Sequence, residues 1–364
     1  MWSLHKVVET FRTIIRWGII LGGTGLGVYL LINVIGIIAA IINPPKPTPP
    51  TVEFGKLPHI VFPLKASDQQ FTYTLNTSTG KLPEFPDKMA VYPIIQPSPN
   101  LLALKRAQNR AKAASFTSQA NQLGPTKYQW SDSDAPYRDI VMDILTNNFE
   151  LSSRFLSDEN VLSAKQLPNE KGAIKAAGNF LNRMQIFPSD IDNTKTKTTL
   201  LQIRDQELIA AEGLSAAQII RVDFYQKDIG KDKDTAIRIV YPYPPFSAMS
   251  LFIGSIGGGG GVIRANFFHQ NIDLEKSASY PILTPDQAYE ILKSGSAYIA
   301  AYYGTRSDIV IKFVYLAYYL QDAKQDYLMP VVVFEGNDGF FAYVPVITDK
   351  WIQSGTANSE AEYQ

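Results

Sequence analysis

The sequence contains no cysteine and only three histidines. Without cysteine the chain can form no disulfide, cannot use thiol catalysis and cannot bind a metal through sulfur. Basic and acidic residues are equal in number, 34 of each, so the chain lacks the positive excess that is typical of nucleic-acid-binding proteins. These absences exclude disulfide frameworks and thiol enzymes, and they leave no indication of a nucleic-acid partner.

One long apolar segment, residues 17–42, contains no charged side chain. A helix needs about 20 apolar residues to cross the hydrocarbon core of a bilayer. A single spanning segment must be helical, because lipid offers the backbone no hydrogen-bond partners. The pattern therefore predicts a transmembrane helix over 17–42, preceded by an amphipathic cytoplasmic segment over 1–16. A cleaved signal peptide is the alternative, but its apolar core would span only about 7–15 residues.

The charges around this segment predict its direction. Lys6, Arg12 and Arg16 precede it together with a single acid, Glu9, whereas the residues that follow are mostly prolines. The positive-inside rule places the more basic end in the cytoplasm. We therefore expect a single-pass protein of the cell membrane, held in the lipid bilayer by an uncleaved signal anchor. Its N-terminus is expected in the cytoplasm and the bulk of the chain outside it.

Small residues recur at intervals of four within the apolar segment. This spacing lets two membrane helices approach closely, so it favours pairing of the helix with itself or with another membrane protein. Glycine is also common in membrane helices in general, and both interpretations stay open. The helix-pairing candidates are Gly18, Gly22, Gly23, Gly27, Gly36 and Ala40.

Proline and turn residues divide the remainder of the chain. A proline-rich stalk is predicted over 43–50, because polyproline segments stay extended at about 3.1 Å per residue. An extended lead-in with one hairpin comes next, followed by three units that each have a helix and then strands. The predicted segments are the lead-in over 51–98, the units over 99–165, 166–275 and 276–350, and a flexible tail over 351–364.

A helix followed by a run of strands indicates an α+β protein, with each helix packed on an antiparallel sheet. The clearest helix is expected to start at Thr284-Pro285, since threonine suits the N-cap and proline the first helical position. Gly295 is a plausible C-terminal cap for it. We expect the last two units to share a sheet or to stack closely. The apolar face of the first helix is predicted to consist of Leu101, Leu104, Ala107 and Ala111.

Tyrosines are concentrated in the last unit. A tyrosine ring presents a flat amphipathic surface that suits contacts with protein or glycan. The alternative is that these residues simply alternate along a half-buried sheet. The surface-contact candidates are Tyr302, Tyr303, Tyr318 and Tyr319.

No pattern predicts a catalytic centre, a metal site or a cofactor. We interpret His5, His59 and His269 as surface or packing residues, because no set of metal-binding or catalytic partners accompanies them in the sequence. The glycine run at 257–261 lacks the following helix and the lysine of a phosphate-binding loop, so it indicates a flexible hairpin turn. Acidic residues are plentiful, but none is set apart by spacing; examples are Asp223, Asp273 and Glu335.

Several motifs near the C-terminus resemble a known family. They are ILTPDQAY (282–289), LKSG (292–295), VYLAYY (314–319) and MPVVVF (329–334). These motifs are similar to the C-terminal half of YycH/YycI-type proteins and to PepSY-like modules, and the resemblance covers residues 247–348. Proteins of that family have one N-terminal membrane helix and non-catalytic outer domains. They regulate a membrane histidine kinase through contacts that include the membrane helix.

Three functional hypotheses follow. The first is a non-enzymatic, membrane-anchored extracytoplasmic binding or regulatory protein, which modulates another membrane protein such as a sensor kinase. The second is an anchored glycan or peptidoglycan hydrolase that uses paired carboxylates about 5–9.5 Å apart. The third is a structural component of a cell-surface assembly. The resemblance implies the first hypothesis and contributes no catalytic residue.

Overall fold

The computed structural model describes residues 4–42, 48–67, 69–132, 137–163, 167–230, 235–256 and 259–354. The chain divides into two compact units, Met1–Pro49 and Pro50–Gln364. Most of the predicted stalk, the first part of the 257–261 glycine run and residues 355–364 of the predicted tail lie outside the described residues.

The first unit contains one helix, α1 (Leu4–Ile42), which runs without a break for 39 residues. By length and composition its segment Ile15–Gly36 could cross a membrane, and it is the one such helix among the described residues. Polar side chains in this segment bond back to helix carbonyls four residues earlier, at 2.8 Å from Thr24 Oγ1 and at 2.8 Å from Asn33 Nδ2. These bonds satisfy groups that lipid could not. The predicted N-terminal apolar helix is confirmed.

Local capping chemistry sets the helix boundaries in the second unit. Its helices are α2 (Ala103–Ala113), α3 (Glu159–Leu162), α4 (Glu170–Arg183) and α5 (Pro285–Lys293). The side chain of Asn169 accepts from the backbone N–H of Gly172 at 2.8 Å, at the start of α4. Thr284 and Gln287 exchange side chain–backbone hydrogen bonds at the start of α5, which satisfies two backbone donors. Gly295 follows α5 with φ +78°, a conformation that glycine adopts without steric cost.

Helix α2 turns a different face to the core from the predicted one. Ala107 and Ala111 are buried as expected, and Ala103 is buried with them. Leu101 precedes the helix and is fully exposed, and Leu104 is also exposed. Alanines four residues apart form one stripe of a helix and allow a close approach to the sheet. The placement of the two leucines in the core is therefore wrong: Leu101 precedes the helix, and Leu104 lies one position beyond Ala103, off the stripe of buried alanines.

The rest of the second unit is built from β-strands, which form one sheet of nine strands and one of eight. The predicted α+β class is therefore confirmed. In chain order the strands are β1 (Thr72–Leu75), β2 (Lys88–Pro93), β3 (Asn121–Gln122), β4 (Lys127–Asp132), β5 (Arg138–Asp143), β6 (Phe149–Ser153), β7 (Lys197–Arg204), β8 (Glu207–Ala210), β9 (Ile219–Phe224), β10 (Ile239–Val240), β11 (Met249–Ile256), β12 (Gly259–Phe267), β13 (Ala278–Pro281), β14 (Tyr298–Ala301), β15 (Asp308–Tyr319), β16 (Tyr327–Gly336) and β17 (Phe341–Pro345).

The nine-stranded sheet has the order β3-β4-β5-β6-β12-β11-β9-β7-β8. All of its pairings are antiparallel. Helices α2 and α4 cover one face, where Ala107 and Phe180 share a core with Leu251. On the opposite face Val161 of α3 packs in a smaller apolar cluster with Phe252. Strands β3 to β6 of the predicted unit 99–165 form one half of this sheet and the strands of 166–275 form the other half, so these two units share one sheet through the β6–β12 pairing.

Strand β15 is an interior strand of the eight-stranded sheet, one position from an edge. One edge of it pairs with β16 in the antiparallel sense, and the other pairs with β1 and β10 in the parallel sense. Strand β16 also pairs with β17 and β2, which in turn pair with β14 and β13. Leu292 of α5 packs against one face of the sheet, in a core with Phe334. Outside the strands, Leu57 forms a parallel bridge with Ile352.

The lead-in differs from its prediction. Strand β1 does not turn back into a hairpin but pairs in parallel with Asp308–Ile311 of β15. An isolated two-stranded hairpin is marginal in water, whereas β15 offers a long edge that is backed by a core. The expected sharing of a sheet by the last two units is limited to Ile239–Val240, which pairs with the C-terminal end of β15.

Candidate functional site

A cavity of about 680 Å³ lies at one end of the nine-stranded sheet. The ends of β4, β5 and β6 form its walls together with two residues that follow α2. A volume of this size is within the usual range of about 300–1,000 Å³ for small-molecule sites. The lining residues are Thr117, Ser118, Ser131, Asp132, Tyr137, Arg138, Asp139, Ser152, Ser153 and Arg154.

The strand register brings three polar side chains together on one wall. Ser131 of β4 lies opposite Asp139 of β5, which lies opposite Ser152 of β6. Directly opposed residues on neighbouring strands point to the same face of a sheet. The Ser131 hydroxyl donates to Asp139 Oδ1 at 2.6 Å, and the Ser131 backbone N–H donates to Ser118 Oγ at 2.7 Å. This wall therefore combines hydroxyl groups with one carboxylate.

A buried ion pair supports the cavity from the other face of the same strands. Arg138 lies opposite Asp132 in the register, and both side chains are buried. The guanidinium donates to Asp132 Oδ2 from Nε at 3.1 Å and also from a terminal nitrogen. Its other terminal nitrogen donates to the carbonyl oxygen of Val262 at 3.0 Å, and the group lies over the ring of Phe116 at 5.0 Å. These bonds hold the end of β5 against β12.

The charges of the cavity's described lining residues cancel. The positive charges of Arg138 and Arg154 are equal in number to the negative charges of Asp132 and Asp139. Tyr137 adds an aromatic ring that is 60% exposed. Neutral overall charge, abundant hydroxyl groups and one exposed ring suit an uncharged polar ligand, because such a ligand needs hydrogen bonds without charge compensation.

The tyrosine candidates occupy different environments. Tyr303 is 67% exposed, and Tyr302 is partly buried against Phe340. Tyr318 and Tyr319 are both buried. The proposal that Tyr318 and Tyr319 make surface contacts is therefore wrong, because the C-terminal end of β15 packs in a buried apolar cluster on each face of the sheet.

Glycines of the membrane-helix pairing pattern lie on the exposed surface of α1. A Cβ atom built on Gly18, Gly22, Gly23, Gly27 or Gly36 meets no atom of the chain within 4 Å. The side chain of Ala40 lies outside the described residues. The pairing prediction stays a prediction, since the chain itself supplies no partner for this surface.

The histidines do not converge on one site. His59 is exposed, and the side chain of His5 lies outside the described residues. His269 pairs with Asp190, with 2.8 Å between Nε2 and Oδ1. Among the described residues no group of three or more His, Asp or Glu side chains could hold a metal ion.

The acidic residues considered from the sequence are also separate. Asp223 belongs to the nine-stranded sheet and Glu335 to the eight-stranded one. Burial raises the pKa of Asp223 above its ordinary value, although Arg221 binds the carboxylate through two hydrogen bonds at 2.9 and 2.8 Å. Asp273 forms a surface ion pair with Lys276 at 3.5 Å. The cavity instead holds a different pair of acids, Asp132 and Asp139.

Comparison with solved structures adds a structural likeness. No protein-family model matches the chain, and no curated protein matches it. A crystal structure of an uncharacterized protein from Eubacterium rectale overlaps 72% of this chain and 82% of its own, with 14% identity and a TM-score of 0.36. At that TM-score the overlap assigns neither fold nor function.

Proposed function

We propose that this protein is a single-pass, membrane-anchored binding protein whose folded unit, residues 50–364, lies outside the cytoplasm. One observation carries the proposal: the apolar surface of Ile15–Gly36 is exposed throughout, whereas the second unit has buried apolar cores of its own. Exposed apolar surface of this extent is costly in water and is stabilised in lipid. The positive charges of Lys6, Arg12 and Arg16 support the cytoplasmic placement of the N-terminal end.

The ligand of the folded unit is taken up in the cavity at the end of β4, β5 and β6. The cancelled charges and the hydroxyl-rich wall support an uncharged polyhydroxylated ligand such as a saccharide. The exposed ring of Tyr137 offers a flat surface for the C–H face of a sugar ring. Binding rather than chemistry is the proposed role, because the guanidinium of Arg138 already occupies the carboxylate of Asp132.

The third part of the proposal is that this protein regulates another membrane protein. The resemblance of residues 247–348 to YycH/YycI-type proteins supports a partner such as a sensor kinase. The glycines on the exposed surface of α1 support contact through the membrane helix, because small residues allow close approach.

The absence of cysteine makes a direct test of topology possible. Any introduced cysteine is the sole thiol of the chain. Leu64→Cys and Glu9→Cys replace exposed residues on either side of the membrane helix. In intact cells a membrane-impermeant maleimide should label Leu64→Cys at once and Glu9→Cys only after permeabilisation. The reverse pattern, or equal labelling of both variants, would refute the proposed orientation.

Replacement of the membrane helix tests the regulatory role. Crosslinking in native membranes compares the intact protein with a version in which residues 17–42 are replaced by a leucine-rich helix. A specific membrane partner that disappears with the replacement supports contact through α1. A partner that persists unchanged assigns the contact to the folded unit instead.

A second candidate, an anchored glycan hydrolase, is favoured by one observation: Asp132 and Asp139 line the same cavity. Asp139 accepts from Ser131 and is the carboxylate that is available to a ligand, since Arg138 holds Asp132. Release of reducing sugar from peptidoglycan that is lost in Asp139→Asn, with ligand binding retained, would favour the hydrolase over the binding protein.

A further inference from the structure

A second cleft, of about 360 Å³, lies between the C-terminal parts of α2 and α4. Three of its lining residues are arginines, and none of the described lining residues is acidic. The lining consists of Arg106, Asn109, Arg110 and Ala113 from the α2 side and Arg183, Met184 and Gln185 from the α4 side. Unlike the first cavity, this cleft therefore has charges of one sign only.

The sequence around α2 explains the missing carboxylates. No aspartate or glutamate stands between Asp87 and Asp132, although the chain as a whole has equal numbers of acids and bases. Helix α2 itself carries four basic residues and no acid, so no pair four residues apart can neutralise them within the helix. The local excess of positive charge is compensated elsewhere in the molecule, not at the cleft.

Arg110 is held at the cleft with unused hydrogen-bonding capacity. One terminal nitrogen donates to Asn147 Oδ1 at 2.6 Å, in the turn between β5 and β6. Its Nε atom is buried and finds no acceptor among the described residues. Burial lowers the pKa of Arg110, and the neighbouring charge of Arg106 lowers it further. An anion in the cleft would supply the missing negative charge.

Helix ends reduce this positive charge without cancelling it. The C-terminal end of a helix carries a partial negative charge of about half a unit. The ends of α2 and α4 together therefore offset about one of the three guanidinium charges. Arg106 also lies in the middle of α2 and not in its last turn, so the helix end does not account for its position.

We propose that this cleft binds a phosphate group through the guanidinium groups of Arg106, Arg110 and Arg183. Guanidinium groups donate in a fixed fork that matches the oxygens of phosphate. A free phosphate or phosphomonoester group has more acceptor oxygens and more negative charge than a carboxylate, which suits three arginines around one cleft. The site is at the opposite end of β5 from the first cavity and does not depend on the proposed function.

The test uses the full-length chain in uncharged dodecyl maltoside micelles. Isothermal titration compares sodium phosphate with sodium chloride at equal ionic strength. A second arm adds phosphatidylglycerol to the micelles, which distinguishes a lipid headgroup from free phosphate. The variants are Arg106→Gln and Arg183→Gln, both at exposed positions, together with Arg110→Gln. Arg204→Gln, an exposed arginine of β7, serves as the matched control.

Phosphate should bind the parent and Arg204→Gln equally, and each cleft variant should lose about tenfold or more in affinity. If phosphatidylglycerol alone binds and the cleft variants lose it, the headgroup is the source of the phosphate. Equal heats for phosphate and chloride in both arms would overturn the proposal. It would also be overturned if Arg106→Gln and Arg183→Gln bound like the parent while their melting temperatures matched it.

Discussion

His269 Nε2 lies 2.8 Å from Asp190 Oδ1, and this contact joins the segment after β12 to the segment before β7. Gln226 Nε2 donates to the other oxygen of Asp190 at 2.8 Å and to the carbonyl oxygen of Gln270 at 3.1 Å. The side chain of Gln270 in turn donates to the backbone of Gln321 at 2.8 Å. This hydrogen-bond network connects the nine-stranded sheet to the loop between β15 and β16.

Replacing Asp190 by Asn should make the free energy of unfolding depend less on pH in the acid range. Burial alone would raise the pKa of Asp190, but the hydrogen bond and charge of His269 and the bond from Gln226 lower it below its ordinary value. A lowered pKa means that the ionised carboxylate stabilises the fold above the unfolded value of about 3.9, and that this contribution is lost as the pH falls through the folded pKa.

Asp190→Asn should therefore lower the free energy of unfolding by about 1 kcal/mol at pH 7, a value suited to a partly exposed charged group. The difference from the parent should shrink below about pH 4. Urea denaturation between pH 3 and pH 7 measures both quantities. Asp205→Asn, in an exposed turn, is the control. A difference that stayed constant across this range would contradict the linkage.

Leu292 should be a major contributor to the stability of the eight-stranded sheet. Its side chain is fully buried between α5 and the core. Leu292→Ala should cost about 2–5 kcal/mol, because it removes buried apolar surface and leaves a cavity. Glu290→Ala on the exposed side of the same helix should cost less than about 1 kcal/mol. Equal unfolding free energies for the two variants would show that α5 does not cover the sheet.

Removing only one partner of the Arg138–Asp132 ion pair should strongly lower the free energy of unfolding. Arg138→Met leaves a buried carboxylate without its guanidinium and should cost about 3–5 kcal/mol. The double variant Arg138→Met/Asp132→Leu should recover most of this loss, because no buried charge remains. Chemical denaturation of both variants measures how much of the lost stability the second substitution restores. If the double variant were less stable than the single one, the unpaired carboxylate would not be the cause of the destabilisation in Arg138→Met.

Glycine replacement in α1 should affect assembly without affecting the fold. The double variant Gly22→Leu/Gly23→Leu places side chains where the chain itself has nothing within 4 Å. It should weaken crosslinking to a helix partner, since close approach needs small residues. Val28→Leu, which leaves the glycine spacing intact, is the control. Unchanged crosslinking of the double variant would remove these glycines from the interface.

Local chemistry made part of the fold predictable. Thr284, Pro285 and Gly295 each act within one helical turn, so they indicate the ends of α5 without any knowledge of the tertiary structure. The apolar length of 17–42 likewise indicates a membrane helix from composition alone.

Pairings between distant segments could not be predicted in this way. Nothing in Thr72–Leu75 shows that its partner is Asp308–Ile311, because any open edge of suitable length would serve. Tyr318 and Tyr319 appear as surface candidates until β15 is known to be an interior strand.

The two cavities differ in what the sequence could have shown. The cavity at the end of β4, β5 and β6 depends on the register of Ser131, Asp139 and Ser152, which only the sheet reveals. The arginine cleft has a visible signal, the absence of any acid between Asp87 and Asp132. That signal indicates a basic surface but does not bring Arg183 to it, because α4 follows much later in the chain.

The parallel pairing of β1 with β15 and the bridge of Leu57 to Ile352 have a consequence for biosynthesis. Gln353 donates to the carbonyl oxygen of Lys56 across a separation of 297 residues. Strands that are synthesised early therefore remain unpaired until their C-terminal partners are synthesised. The eight-stranded sheet cannot form during most of translation. Such a delay keeps the early strands of this sheet unpaired while the chain emerges, and unpaired segments are the ones that can be threaded through a narrow export channel.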